Sequence, residues 1–256
     1  MTVIGIVHPG SMGAAVGRAL VDAGHDAAWA SDGRSDATAA AAASAGLRDV
    51  GTIDQLARQC DLVVSLCPPH AAAEVAEQFA GYRGTFVEAN AVSPATVRHI
   101  GERLTPAILV DAAVIGPPPD LAGTTRLYLS GPADEVALLL HNDRFEIHQL
   151  AAGPTAASAL KMTYAAWSKG SQALMLAIRG AAVELGVEQD LLAEWFLSQP
   201  GLTERSDRAK GTPVERGWRW SHELAEVGRT FAAADQPAGF GEAAAEVFGR
   251  FGRPAS

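Results

Sequence analysis

The sequence predicts an α/β protein, a doubly wound parallel sheet followed by an all-α C-terminal domain joined to it by a long interdomain helix. Three observations predict it. Short β-like runs alternate with Ala-rich, helix-like runs over the first 150 residues, which is the pattern of parallel strands joined by crossover helices. A glycine-containing turn separates the first strand from the first helix, and no strand signal follows residue 150. With 256 residues, 48% hydrophobic and 19% charged, the chain can bury one large core or two moderate ones.

Strands are expected at 2–7, 26–30, 62–66, 85–89, 107–111, 125–130 and 145–149, where β-branched and apolar residues cluster. Helices are expected between them at 12–23, 37–45, 71–80 and 94–104, from Ala content and apolar spacing. Three prolines make 117–124 a loop, because proline cannot donate to a strand ladder. Residues 155–185 read as one long helix, with Pro154 suited to its first turn and Gly186 to its end. Further helices are expected at 188–197, 213–234 and 241–251. The long helix carries apolar residues on several faces (Leu160, Tyr164, Trp167, Leu174, Ile178, Val183), more than a solvated rod tolerates. It is expected to pack against the sheet domain and a second copy of the chain. The expected domains are 1–152 for cofactor and 153–256 for substrate and dimerisation.

Several classes are disfavoured. A formal net charge of −9 argues against nucleic acid or anionic membrane as the main partner. Two cysteines outside any CxxC pair give neither a disulfide framework nor a zinc ribbon, and no Asp/His cluster has metal-ligand spacing. The opening Met-Thr-Val-Ile-Gly-Ile-Val reads as a strand rather than a signal peptide, and no uncharged run is long enough to span a bilayer. A reducing cytoplasm is the expected compartment.

The turn His8-Pro9-Gly10-Ser11-Met12-Gly13 follows the first strand and opens the first helix. Such a turn lets backbone approach a pyrophosphate and aims free helix N–H groups at it, although His8 stands where the first glycine of G-x-G-x-x-G would be. Residues 30–35, Ala-Ser-Asp-Gly-Arg-Ser, end the second strand. Asp32 there suits the ribose diol of NAD or a simple turn beside Gly33, whereas Ser31, Arg34 and Ser35 suit the 2′-phosphate of NADP. NADP is the expected cofactor, with NAD the alternative.

Taken together, these segments resemble the 6-phosphogluconate dehydrogenase and 3-hydroxyisobutyrate dehydrogenase superfamily, which contains the imine reductases. His8–Gly13 is similar to its G-x-G-x-M-G loop, and Asp61-Leu-Val-Val-Ser-Leu-Cys67-Pro68 to its strand ending beside the cofactor. Val87-Glu-Ala-Asn90-Ala-Val-Ser-Pro94 resembles its strand-then-STxSP element, and Asp111-Ala-Ala-Val-Ile115-Gly116 its D-A-P-V-S-G substrate loop. Gly153 to Lys161 resembles the entry to the helix that carries its catalytic lysine, and the segments 218–224 and 240–246 resemble a short C-terminal domain of that superfamily. The resemblance implies a Rossmann domain, a nicotinamide cofactor near Cys67, Pro68 and Asn90, Lys161 as general acid/base and a homodimer through the helical domain.

Three departures shift the expected substrate. Ala165 stands where an asparagine would follow the lysine, Ile115 replaces the serine of the substrate loop, and His222 replaces a basic residue. Tyr164 can replace the asparagine as a hydrogen-bond donor or pack as an interface aromatic. Trp218, Trp220 and His222 can close over substrate or sit in the helical core. Cys67 has no base to activate it, and no G-x-S-x-G exists for a hydrolase. The expected activity is hydride transfer between nicotinamide and a small carbonyl or alcohol substrate. An imine reductase and, from another class, a non-catalytic NADP-binding sensor or interaction module are the alternatives.

Overall fold

The first parallel pair forms because Val3–Ile6 (β1) and Asp26–Trp29 (β2) are short apolar runs joined by Ser11–Asp22 (α1), a crossover helix that buries Val16, Ala19 and Leu20. The computed structural model describes residues 2–251, the side chains of 212–216 apart. Beyond β2 the chain forms Asp36–Ser44 (α2), Arg48–Asp49 (β3), Ile53–Gln59 (α3) and Leu62–Ser65 (β4). A 3₁₀ turn, Pro69–Ala71, runs into Ala72–Glu77 (α4), followed by Thr85–Glu88 (β5), Pro94–Arg103 (α5) and Ile108–Ile115 (β6). Thr125–Ser130 (β7), Asp134–Leu139 (α6) and Phe145–Gln149 (β8) complete the sheet, in the order β3-β2-β1-β4-β5-β6-β7-β8.

Every neighbouring pair is parallel except β6 and β7. The chain winds outward from β1 to β3, then returns to lay β4 on the other side of β1, so the winding reverses between β1 and β4. In open α/β sheets the crevice beyond the carboxyl ends of strands at that reversal is where ligands bind. Each face is covered by helices. Ile4, Ile6, Leu20, Trp29 and Leu129 pack on the α1 side, and Val7, Leu56, Phe79, Phe86 and Ile100 on the other. Phe79 meets Phe86 edge-on with centroids 5.4 Å apart. Each such buried side chain contributes about 1.5–3 kcal/mol.

All seven expected strands are present within a few residues. β6 is longer than expected, running on to Ile115 because residues 112–115 still pair with β7 after the last β5 pair at Asp111. The sequence reading passed over β3, α3 and α6. Helix α3 carried a legible signal, a Thr52–Gln55 capping box whose side chains satisfy one another's backbone N–H groups.

By its internal contacts the chain divides into two compact units, Met1–Lys161 and Met162–Ser256. In place of one helix over 155–185 there are two, Ala156–Ser168 (α7) and Gly170–Glu184 (α8). Lys169 lies at φ −110° between them, next to a glycine that propagates helix poorly, and the Gln172 side chain donates to the Ser168 carbonyl at 2.8 Å. Glu188–Ser198 (α9), Leu202–Ala233 (α10) and Gly239–Gly249 (α11) follow, α10 starting eleven residues earlier than expected. Helices α10 and α11 cross where a Cβ on Gly241 would lie 2.3 Å from the Gly228 nitrogen, so both backbones approach as only glycine permits. Arg179, buried on α8, ties α9 and α10 to it through Glu188, Ser206 and Asp207. Among the described residues no helix is long and apolar enough to cross a membrane.

Candidate active site

The glycine turn sits at the carboxyl end of β1. Val7 still bonds to the Val64 carbonyl at 3.1 Å, after which His8 and Pro9 lead to Gly10, the N-cap of α1. Gly13 has a steric reason to be glycine, since a Cβ there would lie 2.1 Å from the His8 carbonyl oxygen. At Gly10 a Cβ would meet only open space, so nothing in the chain itself demands glycine there, and no side chain caps α1. An uncapped helix N-terminus with no acidic residue in its first turn leaves N–H donors and positive dipole for an anion. The turn therefore fits a dinucleotide pyrophosphate. Ser11 is exposed, Pro9 buried, and Met12 packs against the core.

The segment after β2 reaches the same place through one side chain. Residues 31–34 form a β-turn closed by the Arg34 N–H on the Ser31 carbonyl at 3.0 Å, with Gly33 at φ +69°. Arg34 Nη1 then donates to His8 Nε2 at 2.9 Å. The imidazole is held down to about pKa 4, by burial first and by the Arg34 charge second, so it is neutral. His8 Nδ1 and Arg34 Nε are both buried and have no hydrogen-bond partner. Ser35 is occupied differently, its Oγ capping α2 by accepting from Thr38 N–H at 3.3 Å. Ser31 supports the Asp49 carboxylate, which the Gly51 N–H and Ser31 together hold below its usual pKa. Asp32 is exposed in the turn.

Beyond β4 and β5 the polar atoms bond among themselves. Asn90 Oδ1 accepts from Cys67 N–H at 2.5 Å and its Nδ2 donates to Ser65 Oγ at 3.0 Å, which ties the two strand ends together. Burial pushes the Cys67 thiol up to about 12, so it carries no thiolate, and Pro68 starts the 3₁₀ turn. Glu88, which sequence reasoning did not single out, is wholly buried on β5. Its Oε1 accepts the Asn90 N–H at 3.0 Å while Oε2 has no partner, and burial raises its pKa to about 8. Its charged residue type in an otherwise apolar strand was the available signal.

The overhang of β6 places the last group. Lys161 Nζ donates to the Val114 carbonyl at 2.7 Å, on the stretch of β6 that continues past the carboxyl end of β5. The helix bearing Lys161 is fixed from below. Asp111 accepts from Ser158 N–H at 2.9 Å, from Ser158 Oγ at 2.5 Å and from Ser130 Oγ at 2.9 Å, and Ser130 Oγ accepts the Ala157 N–H at 3.0 Å. A carboxylate supplied by β6 at the N-terminus of α7 also suits the helix dipole. Asp111 and Ser130, paired across β6 and β7, were missed as functional residues because the motif containing Asp111 reads as a substrate loop. Ile115 is buried, and Gly116 adopts φ +128° where a Cβ would lie 2.4 Å from the Thr124 carbonyl oxygen.

The remaining expected residues belong to the helical unit. Tyr164 is half exposed and lines a groove of about 520 Å³ with Trp167, Gln172, Arg205 and Arg208. Trp220 packs edge-on against Phe248 with the Lys169 ammonium 5.3 Å from its ring centroid, and His222 is exposed on the same helix. Among the described residues no group of three or more His, Cys, Asp or Glu could hold a metal ion.

Two segments match family models. Residues 3–94 match the family described as NADP oxidoreductase coenzyme F420-dependent, and residues 182–251 match a domain of unknown function, DUF1932. An uncharacterized 28.5 kDa protein of Methanothermus fervidus is 28% identical over 161 residues, 62% of this chain and 63% of that protein, so the match spans less than two thirds of that relative. Among solved structures, the conserved protein MTH1747, of unknown function and described as similar to 3-hydroxyacid dehydrogenases, is 25% identical with a TM-score of 0.71 over 97% of this chain and 96% of that one. The 3-hydroxyisobutyrate dehydrogenase (ygbJ) of Salmonella typhimurium is 21% identical with a TM-score of 0.71, covering 97% and 93%. An imine reductase of Streptomyces aurantiacus is 18% identical with a TM-score of 0.52, covering 97% and 94%. The two matched segments and the fold agree: the chain has the fold of these dehydrogenases and of the imine reductase, and its motifs resemble those of their superfamily.

Proposed function

We infer that the protein is an NADP-dependent oxidoreductase acting on a small carbonyl or alcohol substrate, with Lys161 as general acid/base. The observation that carries this reading is the Lys161 ammonium fixed on the Val114 carbonyl, at the same carboxyl edge of the sheet as the glycine turn. Gly10, Ser11, Met12 and Gly13 hold the pyrophosphate by backbone, with His8 and Pro9 leading from β1 into the turn and the His8 side chain facing the cofactor. Arg34, with Ser31 and Ser35 nearby, selects the 2′-phosphate, and NAD is the alternative cofactor. Cys67, Pro68 and Asn90 border the cofactor at the next strand ends. A nicotinamide bound there supplies or accepts a hydride. Lys161 delivers a proton to the substrate oxygen in reduction and removes it in oxidation, and the Val114 carbonyl orients its ammonium meanwhile. Tyr164 follows three residues later as a second donor. Ile115 and Gly116 are the substrate residues proposed for the sheet unit, and Trp220 and His222 those proposed for the helical unit.

Residues 1–152 serve the cofactor, and 153–256 serve the substrate and a homodimer in the cytoplasm. The dimer reading is supported by Trp167, Leu174 and Leu185, each more than 60% exposed. Lys161→Ala tests the catalytic role. Turnover is expected to fall at least ~100-fold while NADPH affinity, followed by fluorescence titration, is nearly unchanged. Unchanged turnover would remove Lys161 from the chemistry.

A second reading, imine reduction, is favoured by Ile115 and Ala165, both buried and neither able to bind a carboxylate. Turnover of cyclic imines with none of hydroxy acids selects it. Tight NADPH binding without turnover on either panel selects the sensor.

A further inference from the structure

Position 8 breaks the usual glycine pattern, and the side chain placed there is bonded to a cation. Arginine has donors only, so at 2.9 Å His8 Nε2 must accept from Arg34 Nη1, which leaves the ring proton on Nδ1. That N–H and the Arg34 Nε–H are then two buried donors without acceptors, one on each partner of a single hydrogen bond. The guanidinium itself has no carboxylate partner among the described residues, and burial lowers its pKa. A half-buried arginine whose partner is a neutral ring is incompletely satisfied, and unfilled donors side by side call for an anion with several oxygens. Ser31 and Ser35 are engaged with Asp49 and with the α2 N-terminus, so discrimination at the end of β2 falls on Arg34.

We propose that His8 is the positioning residue for cofactor choice: its Nε2 holds Arg34 against the glycine turn, and its Nδ1–H joins Arg34 in binding a phosphate monoester, the 2′-phosphate of NADP. This rests on the NADP reading above. The acceptor at position 8 keeps the flexible arginine from dispersing into solvent before the cofactor arrives, which lowers the ordering cost of binding. Glycine at that position would leave the turn intact and release the arginine.

The test is fluorescence titration with NADPH and NADH, which differ only in that phosphate, on wild type, Arg34→Ala, His8→Gly and His8→Gln. Wild type is expected to favour NADPH by about tenfold or more, the scale of one charge-assisted hydrogen bond. Arg34→Ala and His8→Gly are both expected to abolish most of that ratio while NADH affinity stays within about twofold, which also shows that the variants fold. His8→Gln, whose amide oxygen can accept from Arg34, is expected to restore the ratio to within about threefold of wild type. In ¹⁵N spectra of the free protein, His8 is expected as the Nδ1–H tautomer. A wild type with no preference for NADPH overturns the NADP reading itself. A ratio lost in Arg34→Ala but kept in His8→Gly leaves that reading standing and overturns the role of His8. Equal losses for both cofactors, or a His8→Gln ratio as low as that of His8→Gly, overturn it as well.

Discussion

Asp111 grips Ser158 twice, taking its backbone N–H at 2.9 Å and its hydroxyl at 2.5 Å, three residues before Lys161 on the same helix. The register of α7 against β6, and with it the position of the ammonium on Val114, is set by that pair. Asp111→Ala leaves the Ser158 and Ser130 donors buried without their acceptor. It is expected to destabilise the protein by about 2–4 kcal/mol in urea unfolding and to lower turnover without changing which cofactor binds. An unchanged unfolding midpoint would falsify the capping role.

Glu88 gives a pH dependence whose sign follows from its burial. Its folded pKa, about 8, lies above the value of 4.5 for a free glutamate. The folded protein therefore keeps a proton that the unfolded chain releases, so this group's stabilisation is complete below pH 4.5 and is lost as pH rises towards 8. Glu88→Gln retains an acceptor for the Asn90 N–H and has nothing to ionise. Its thermal midpoint is expected to fall less than that of wild type between pH 5 and 8, and parallel curves would remove Glu88 as the source.

The glycine turn makes a sharper steric claim. A methyl group at position 13 would meet the His8 carbonyl oxygen at 2.1 Å, a distance no side-chain adjustment relieves because both atoms are backbone-fixed. Gly13→Ala is expected to weaken NADPH and NADH binding alike by about 100-fold or more, since β1 and α1 must separate. Retained affinity would show that the turn relaxes freely.

The exposed apolar residues of α7 and α8 are the basis for the proposed dimer. Leu174→Lys with Ile178→Asp is expected to give a monomer by light scattering, with the helical content of wild type in circular dichroism. A wild type already monomeric at micromolar concentration would end that proposal.

Much of the first half of the fold was legible because alternation, glycine at the strand–helix turn and the prolines at 117–119 are local signals. The glycine turn was read the same way, from residues next to one another in the chain, whereas Lys161 was singled out by a family resemblance. What escaped depends on distant partners. The extension of β6 to Ile115 needs β7, whose Arg126 pairs with Ile115 from eleven residues further on, before it is a strand at all. The break at Lys169 in the expected long helix is set by a single glycine and by Gln172, a weak local preference. Asp111 was invisible as a capping residue because its role lies in bonds to Ser158, and Glu88 showed only its charge in a mostly apolar strand, its bond to Asn90 being out of sight. The Arg34–His8 contact joins two segments 26 positions apart, each of which was identified, although nothing in either named the other.

The loop from Pro117 to Thr124 leaves β6 and comes back as β7, and Thr125 closes its base by donating to the Pro117 carbonyl at 2.7 Å. Because the antiparallel ladder clamps both stems, that hairpin tip can be rewritten by grafting or randomisation while the carbonyl that steadies Lys161 stays in place.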